Sequence, residues 1–240
     1  MDLSDPTRSV TPTLDGTVLA VLASAGRSLT VGQVAELAAR GSEIGIRRSL
    51  GRLVEQGTVR ATMMGRNLVH ELNRDHIAAQ VAVVLAGLRT ELWSRLRQEV
   101  DSWEPRPLIA VVFGSAARGD GSVDSDIDLL LVHPPMAGDP QLHGEEQHRG
   151  ESLHAALGGI LMGDRDPAAR DRWEAQVERL YGLVERWTGN PLQVVDLSYA
   201  EWRRPPESSR ALLAAVAAEG IQLRKERGLT WLAPMEVKHG

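Results

Sequence analysis

Apolar positions recur in steps of three and four through the first hundred residues, then give way to continuous runs and alternation. The first pattern marks amphipathic helices and the second marks strands. Val18, Leu19 and Leu22 place one helix over 14–24. Thr30 stands as an N-cap before Val31, Val34, Leu37 and Ala38, a second helix that carries Glu36 and is closed by Gly41. Ser42 caps a third over 43–56, burying Ile46, Leu50, Leu53 and Val54, with Gly57 as its stop. Alternating residues over 58–63 and 67–72 predict a hairpin about the turn 64–67. A long helix follows over roughly 74–102, with Ile77, Val81, Leu85, Leu88, Leu92, Leu96 and Val100 on one stripe and Pro105 and Pro107 beyond its end.

From there the chain alternates strands and helices. Residues 108–113 form an apolar run that reads as a buried strand, and 126–132 a second strand. A helix over 166–188 is apolar at Trp173, Val177, Leu180, Val184 and Trp187, and residues 192–197 make a further strand. The stretch from Ser209 through Leu223 reads as a packing helix plus a final apolar run. Residues 1–12 read as a loose tail, and 134–151 as a loop or insertion. The fold class is therefore α+β, in three segments: 13–73, a connecting and dimerisation helix over 74–104, and 105–228.

Composition narrows the classes. The chain has 240 residues, 42% apolar and 25% charged, which excludes wholesale disorder and fibrous repeats. No apolar run approaches the ~20 residues of a membrane span, and the N-terminus lacks a basic-then-apolar leader. Zero cysteines exclude disulfides and thiol chemistry, and the expected compartment is the cytoplasm. Net charge is −5, yet only Lys225 and Lys238 among the 27 basic residues are lysine.

Between Arg40 and Arg66 six arginines face two glutamates, a basic island in an acidic chain. Three helices followed by a hairpin resemble the winged helix-turn-helix domains of bacterial regulators. The resemblance implies that the third helix enters the major groove and the hairpin touches phosphate. Arg47, Arg48, Ser49 and Arg52 are then the groove residues, and Arg60 and Arg66 the wing contacts. A helical packing or protein-docking module is the alternative.

The densest chemistry lies just after the first buried strand. Gly114, Ser115, Arg118 and Gly119 are followed, after a polar turn, by Ser125, Asp126 and Asp128. On a strand, Asp126 and Asp128 point to one side while Ile127 packs behind. Two adjacent carboxylates repel unless a cation lies between them, and hard oxygen ligands favour Mg²⁺ or Mn²⁺. This stretch resembles the nucleotidyltransferase superfamily related to DNA polymerase β, in its minimal nucleotidyltransferase branch, over about 105–225. The resemblance implies a mixed sheet flanked by helices. It further implies a triphosphate (ATP is the expected NTP) held by Gly114, Ser115, Arg118 and Ser125, and a third metal-binding, catalytic carboxylate on a later strand. Asp196 is the only acid in the 192–197 strand and takes that role, holding metal with Asp126 and Asp128 and accepting the hydroxyl proton.

The activity so implied is Mg²⁺-dependent transfer of a nucleoside monophosphate to a hydroxyl of a protein, a small molecule or RNA. Beside a DNA module, the resemblance suggests an antitoxin-like regulator with a partner toxin, acting as a homodimer. The alternative is a regulator whose nucleotidyltransferase-like domain only binds nucleotide or dimerises. His143, His148 and His154 lack zinc-ligand spacing and read as solvated loop residues. Trp93, Trp103, Trp187 and Trp202 read as core or interface, and His133 as a strand end.

Overall fold

The computed structural model describes residues 1–140, 166–226 and 229; His143, His148 and His154 lie outside them. The chain divides into two compact units, Met1–Leu92 and Trp93–Gly240.

In the first unit, α1 (Leu14–Ala25) is capped by Thr13, whose hydroxyl accepts from the Asp15 amide. After the two-residue strand β1 (Leu29–Thr30), Thr30 and Gln33 form a reciprocal capping box that starts α2 (Val31–Leu37). This helix stops at Leu37, so Gly41 serves the loop beyond it rather than the helix end. Ser42 caps α3 (Glu43–Glu55), as its position before the apolar stripe predicts. Strands β2 (Val59–Met64) and β3 (Asn67–Leu72) make the hairpin, turning at Gly65 with φ +63°. β1, absent from the sequence reading, adds to β3 and completes a three-stranded antiparallel sheet in the order β1-β3-β2. Val18, Leu22, Leu29, Val34, Ile46, Leu50 and Leu53 fill the core between the helices and this sheet. Each such side chain contributes about 1.5–3 kcal/mol by leaving water.

The tail expected over 1–12 is instead folded. Leu3 is fully buried, and Pro6–Ser9 form a 3₁₀ turn. Asp5 anchors the segment, accepting from Thr7 Oγ1 and Thr17 Oγ1 at 2.6 Å each and from Arg40 Nε at 2.7 Å. Burial raises the Asp5 pKa, but these three hydrogen bonds and the Arg40 charge together hold it below the ordinary aspartate value. Polar ties of this kind have no periodic signature, which is why the segment reads as loose.

Helix α4 (Ala79–Asp101) contributes its residues up to Leu92 to the first unit and the remainder to the second. It begins five residues later than its apolar stripe suggests: Ile77 lies before it and is 94% exposed, and Val81 is also exposed.

The second unit is built on a four-stranded mixed sheet, order β6-β5-β4-β7. Its strands are β4 (Ile109–Phe113), β5 (Ile127–His133), β6 (Leu192–Ser198) and β7 (Ile221–Lys225). β4 is antiparallel to β5 and β7, and β5 runs parallel to β6. Its helices are α5 (Gly114–Arg118), α6 (Ala169–Thr188), α7 (Tyr199–Arg203) and α8 (Glu207–Glu219). One sheet face carries Ile109, Val111, Phe113, Leu130, Val132 and Leu197 against Trp202, Leu213 and Val216 of α7 and α8. The opposite face carries His133 and Asp196, which meet Trp173 of α6. Trp173 stacks edge-on against Trp103, and Trp93, Trp103 and Trp202 are all buried. Half-buried Trp187 lies 6.0 Å beneath the Arg95 guanidinium.

Candidate functional site

Strand β4 ends at Phe113, and the chain turns at once into α5 through Gly114, whose φ of +68° lies in the left-handed region. A Cβ built there would sit 2.2 Å from Oδ2 of Asp128, so glycine is required twice over: for the turn and for the space the carboxylate occupies. Asp128 lies in β5 and Asp126 immediately precedes the strand; the two flank the fully buried Ile127 and are near enough for the Asp126 charge to act on Asp128. Burial first, and then the neighbouring Asp126 charge, push the Asp128 pKa above the ordinary aspartate value, while Arg118 pulls it down. Arg118 is exposed, donating from Nη1 to Glu219 at 2.8 Å and from Nε to Asp120 at 3.1 Å.

Ser115 is the second residue of α5, and its carbonyl accepts from the amides of Gly119 and Asp120. The Ser125 hydroxyl closes the turn before the acid pair, accepting from the Ser122 amide at 2.9 Å. That turn is held from below by Asn190, fully buried, whose Nδ2 donates to the carbonyls of Ser125 at 2.9 Å, Val123 at 3.2 Å and Ser122 at 3.4 Å. The sequence carries no signal for this role of Asn190, because Gly189-Asn190-Pro191 has the composition of an ordinary turn.

Asp196 does not join the pair. In the parallel β5–β6 register it lies opposite Leu131, whereas Asp128 lies opposite Gln193. Directly paired residues share a face and neighbours along a strand alternate, so Asp196 belongs to the face of Leu131 and His133. Its carboxylate accepts from Trp173 Nε1 at 2.8 Å. Enclosure there raises its pKa, opposed by the indole hydrogen bond and by the charges of His133 and Arg170. The expectation that Asp196 converges with Asp126 and Asp128 is corrected: among the described residues only those two acids stand together. An acid's presence on the right strand says nothing about which face it occupies.

The residues present fit a divalent cation in a restricted sense. Two adjacent carboxylates, one of them destabilised by its neighbour, are a hard-oxygen pair. Mg²⁺ bound by one or two carboxylates ordinarily completes its shell with substrate phosphate and water. Among the described residues no group of three or more His, Asp or Glu side chains is arranged to hold a metal unaided.

Comparison with known families bears on this geometry. Residues 93–181 match the nucleotidyltransferase domain. The match covers the Gly114–Ser115 turn and both aspartates of the pair, and ends before β6. The mixed sheet flanked by helices is consistent with a nucleotidyltransferase fold. No match was found among curated proteins or solved structures. No described helix is long and apolar enough to cross a membrane.

On the first unit, α3 presents Arg47, Arg48 and Arg52 to solvent. Arg47 pairs with Glu43 at 2.9 Å, Arg52 with Asp15 at 2.6 Å, and Arg60 of the hairpin with Asp75 at 2.7 Å. Arg48 and Arg66 are exposed. Ser49, expected on the same surface, is instead fully buried and donates to Asp15 Oδ1 at 2.5 Å. It lies three residues after Ile46 and one before Leu50, on the helix flank that faces α1.

Proposed function

We propose that the second unit binds a nucleoside triphosphate with a divalent cation and transfers the nucleoside monophosphate to a hydroxyl. The observation that carries this reading is the Asp126–Asp128 pair, with Asp128 packed on a left-handed Gly114, inside the segment that matches the nucleotidyltransferase domain. Asp126 and Asp128 would hold Mg²⁺ or Mn²⁺, which supplies charge neutralisation for the triphosphate. Ser115 and the turn at Gly114 would orient the phosphates. Arg118 would exchange its pairing with Asp120 and Glu219 for phosphate oxygens, a geometry that guanidinium suits. In the transfer, the acceptor oxygen bonds to the α-phosphorus as its bond to pyrophosphate breaks, and the hydroxyl proton passes to solvent. Asp196 takes no part.

We read the first unit as a winged helix-turn-helix that binds DNA. Three helices followed by a hairpin, with the Arg47, Arg48 and Arg52 face of α3 open, support it. The exposed apolar residues at the start of α4 support a homodimer, and autoregulation beside a partner toxin fits the pairing of the two units.

A second reading, nucleotide sensing without turnover, draws support from the acid pair having no third carboxylate beside it among the described residues. Incubation with Mg²⁺ and each α-labelled NTP, with and without the product of an adjacent gene, separates the two. Transfer of label with release of pyrophosphate supports the enzyme. NTP binding with no transfer to any acceptor supports the sensor.

A further inference from the structure

The parallel register places Gln193 directly opposite Asp128. Adjacent strands lie about 4.8 Å apart, and side chains paired across them point the same way. Gln193 therefore stands beside Asp128 on the same face, one strand over. Its side chain is exposed and makes no hydrogen bond among the described residues, so no structural partner accounts for it. The next residue on that face, Val195, packs into the core, and Leu197 is buried beyond it. Along β6, Gln193 is thus the polar residue on this face that neighbours Asp128.

A carboxamide differs from a carboxylate in two ways that matter here. It brings no charge, so it adds nothing to the negative charge that Asp126 already imposes on Asp128. It also donates as well as accepts, so it is free to hydrogen bond an oxygen of the bound triphosphate, which a carboxylate would repel. Two divalent ions bring four positive charges. A neutral carboxamide in place of a further carboxylate leaves a second ion with less negative charge and one hard anionic ligand fewer to bind.

We propose that Gln193 is a specificity-determining residue that limits this site to a single divalent cation per bound nucleotide and contacts the nucleotide phosphate through its amide. The proposal rests on the reading of the second unit as a nucleotide site. Its test is a Mn²⁺ titration of the full chain, followed by electron paramagnetic resonance and calorimetry, with a non-hydrolysable NTP analogue present. Wild type should bind one Mn²⁺. Gln193→Asp and Gln193→Glu should add a second ion or tighten Mn²⁺ binding by about 10-fold or more, with weaker analogue binding in the absence of metal. Two ions in wild type, or variants matching wild type in stoichiometry and affinity, would overturn the proposal while leaving the nucleotide site intact. If Asp126→Asn/Asp128→Asn binds Mn²⁺ and analogue as wild type does, the nucleotide-site reading itself fails, and this inference with it.

Discussion

The indole Nε1 of Trp173 donates a 2.8 Å hydrogen bond to Oδ2 of Asp196, tying that acid to the sheet face covered by α6. Asp128 lies on the other face. Asp196→Asn should therefore leave Mn²⁺ and nucleotide binding unchanged. Because asparagine still offers the indole an acceptor, stability should move by no more than about 1 kcal/mol. Asp128→Asn should lower nucleotidyl transfer by about 10³-fold, the worth of several kcal/mol of lost charge stabilisation. Calorimetric titration and urea unfolding of both variants check this, and equal loss of metal binding in the two would refute the placement.

The strain within the acid pair has a pH signature. Asp128 has a folded pKa above its ordinary 3.8, so the native state holds that proton more tightly than the unfolded chain does. The stability it contributes is complete below 3.8 and is lost as pH rises through the raised value. Metal-free Asp128→Asn should accordingly melt above wild type at pH 7, and the gap should close as pH falls toward 3.8. Scanning calorimetry in EDTA reads the difference directly. A constant offset at every pH would contradict it.

Asp5 carries the opposite sign. Its folded pKa lies below 3.8, so its contribution is present above that value and lost as pH falls through the lower folded one. Asp5→Ala leaves the Arg40 Nε and two threonine hydroxyls without this acceptor, and should cost about 3 kcal/mol at pH 7. The penalty should shrink under acid, as urea midpoints at neutral and low pH would reveal.

Two glycines with positive φ separate backbone strain from site geometry. Gly26 has φ +61° and open space where a Cβ would stand, whereas a Cβ at Gly114 would strike Asp128. Each alanine variant should cost about 1–2 kcal/mol from the left-handed backbone. Gly114→Ala alone should also weaken Mn²⁺ binding, because the carboxylate must move. Equal metal affinity in both variants would mean that the close approach at Gly114 has no bearing on the site.

On the proposed DNA surface, Ser49 and Arg48 are adjacent in sequence but opposite in environment. Ser49→Ala removes a buried hydrogen bond to Asp15 and should cost about 1 kcal/mol without altering the salt dependence of DNA binding. Arg48→Ala should leave stability unchanged and reduce the salt slope by about one. Operator titrations over a range of salt concentrations distinguish them.

Local chemistry made much of this protein readable in one dimension. Thr30, Ser42 and Gly57 marked helix ends because caps and left-handed stops depend on single residues. The Asp126-Ile127-Asp128 alternation put two acids on one face because the side-chain period of a strand is two. Strand pairing was a different matter. Whether Gln193 or Asp196 stands beside Asp128 depends on how β6 slides against β5, and a shift of one residue reverses every face. The same holds for Ser49, turned inward by its neighbours on α1, and for Asp5, whose partners lie up to 35 residues away. Sequence by itself determined the elements and the acid pair, since both follow from spacing along the chain. Only the tertiary structure decided what faces that pair, because register is a contact between segments that the chain keeps apart.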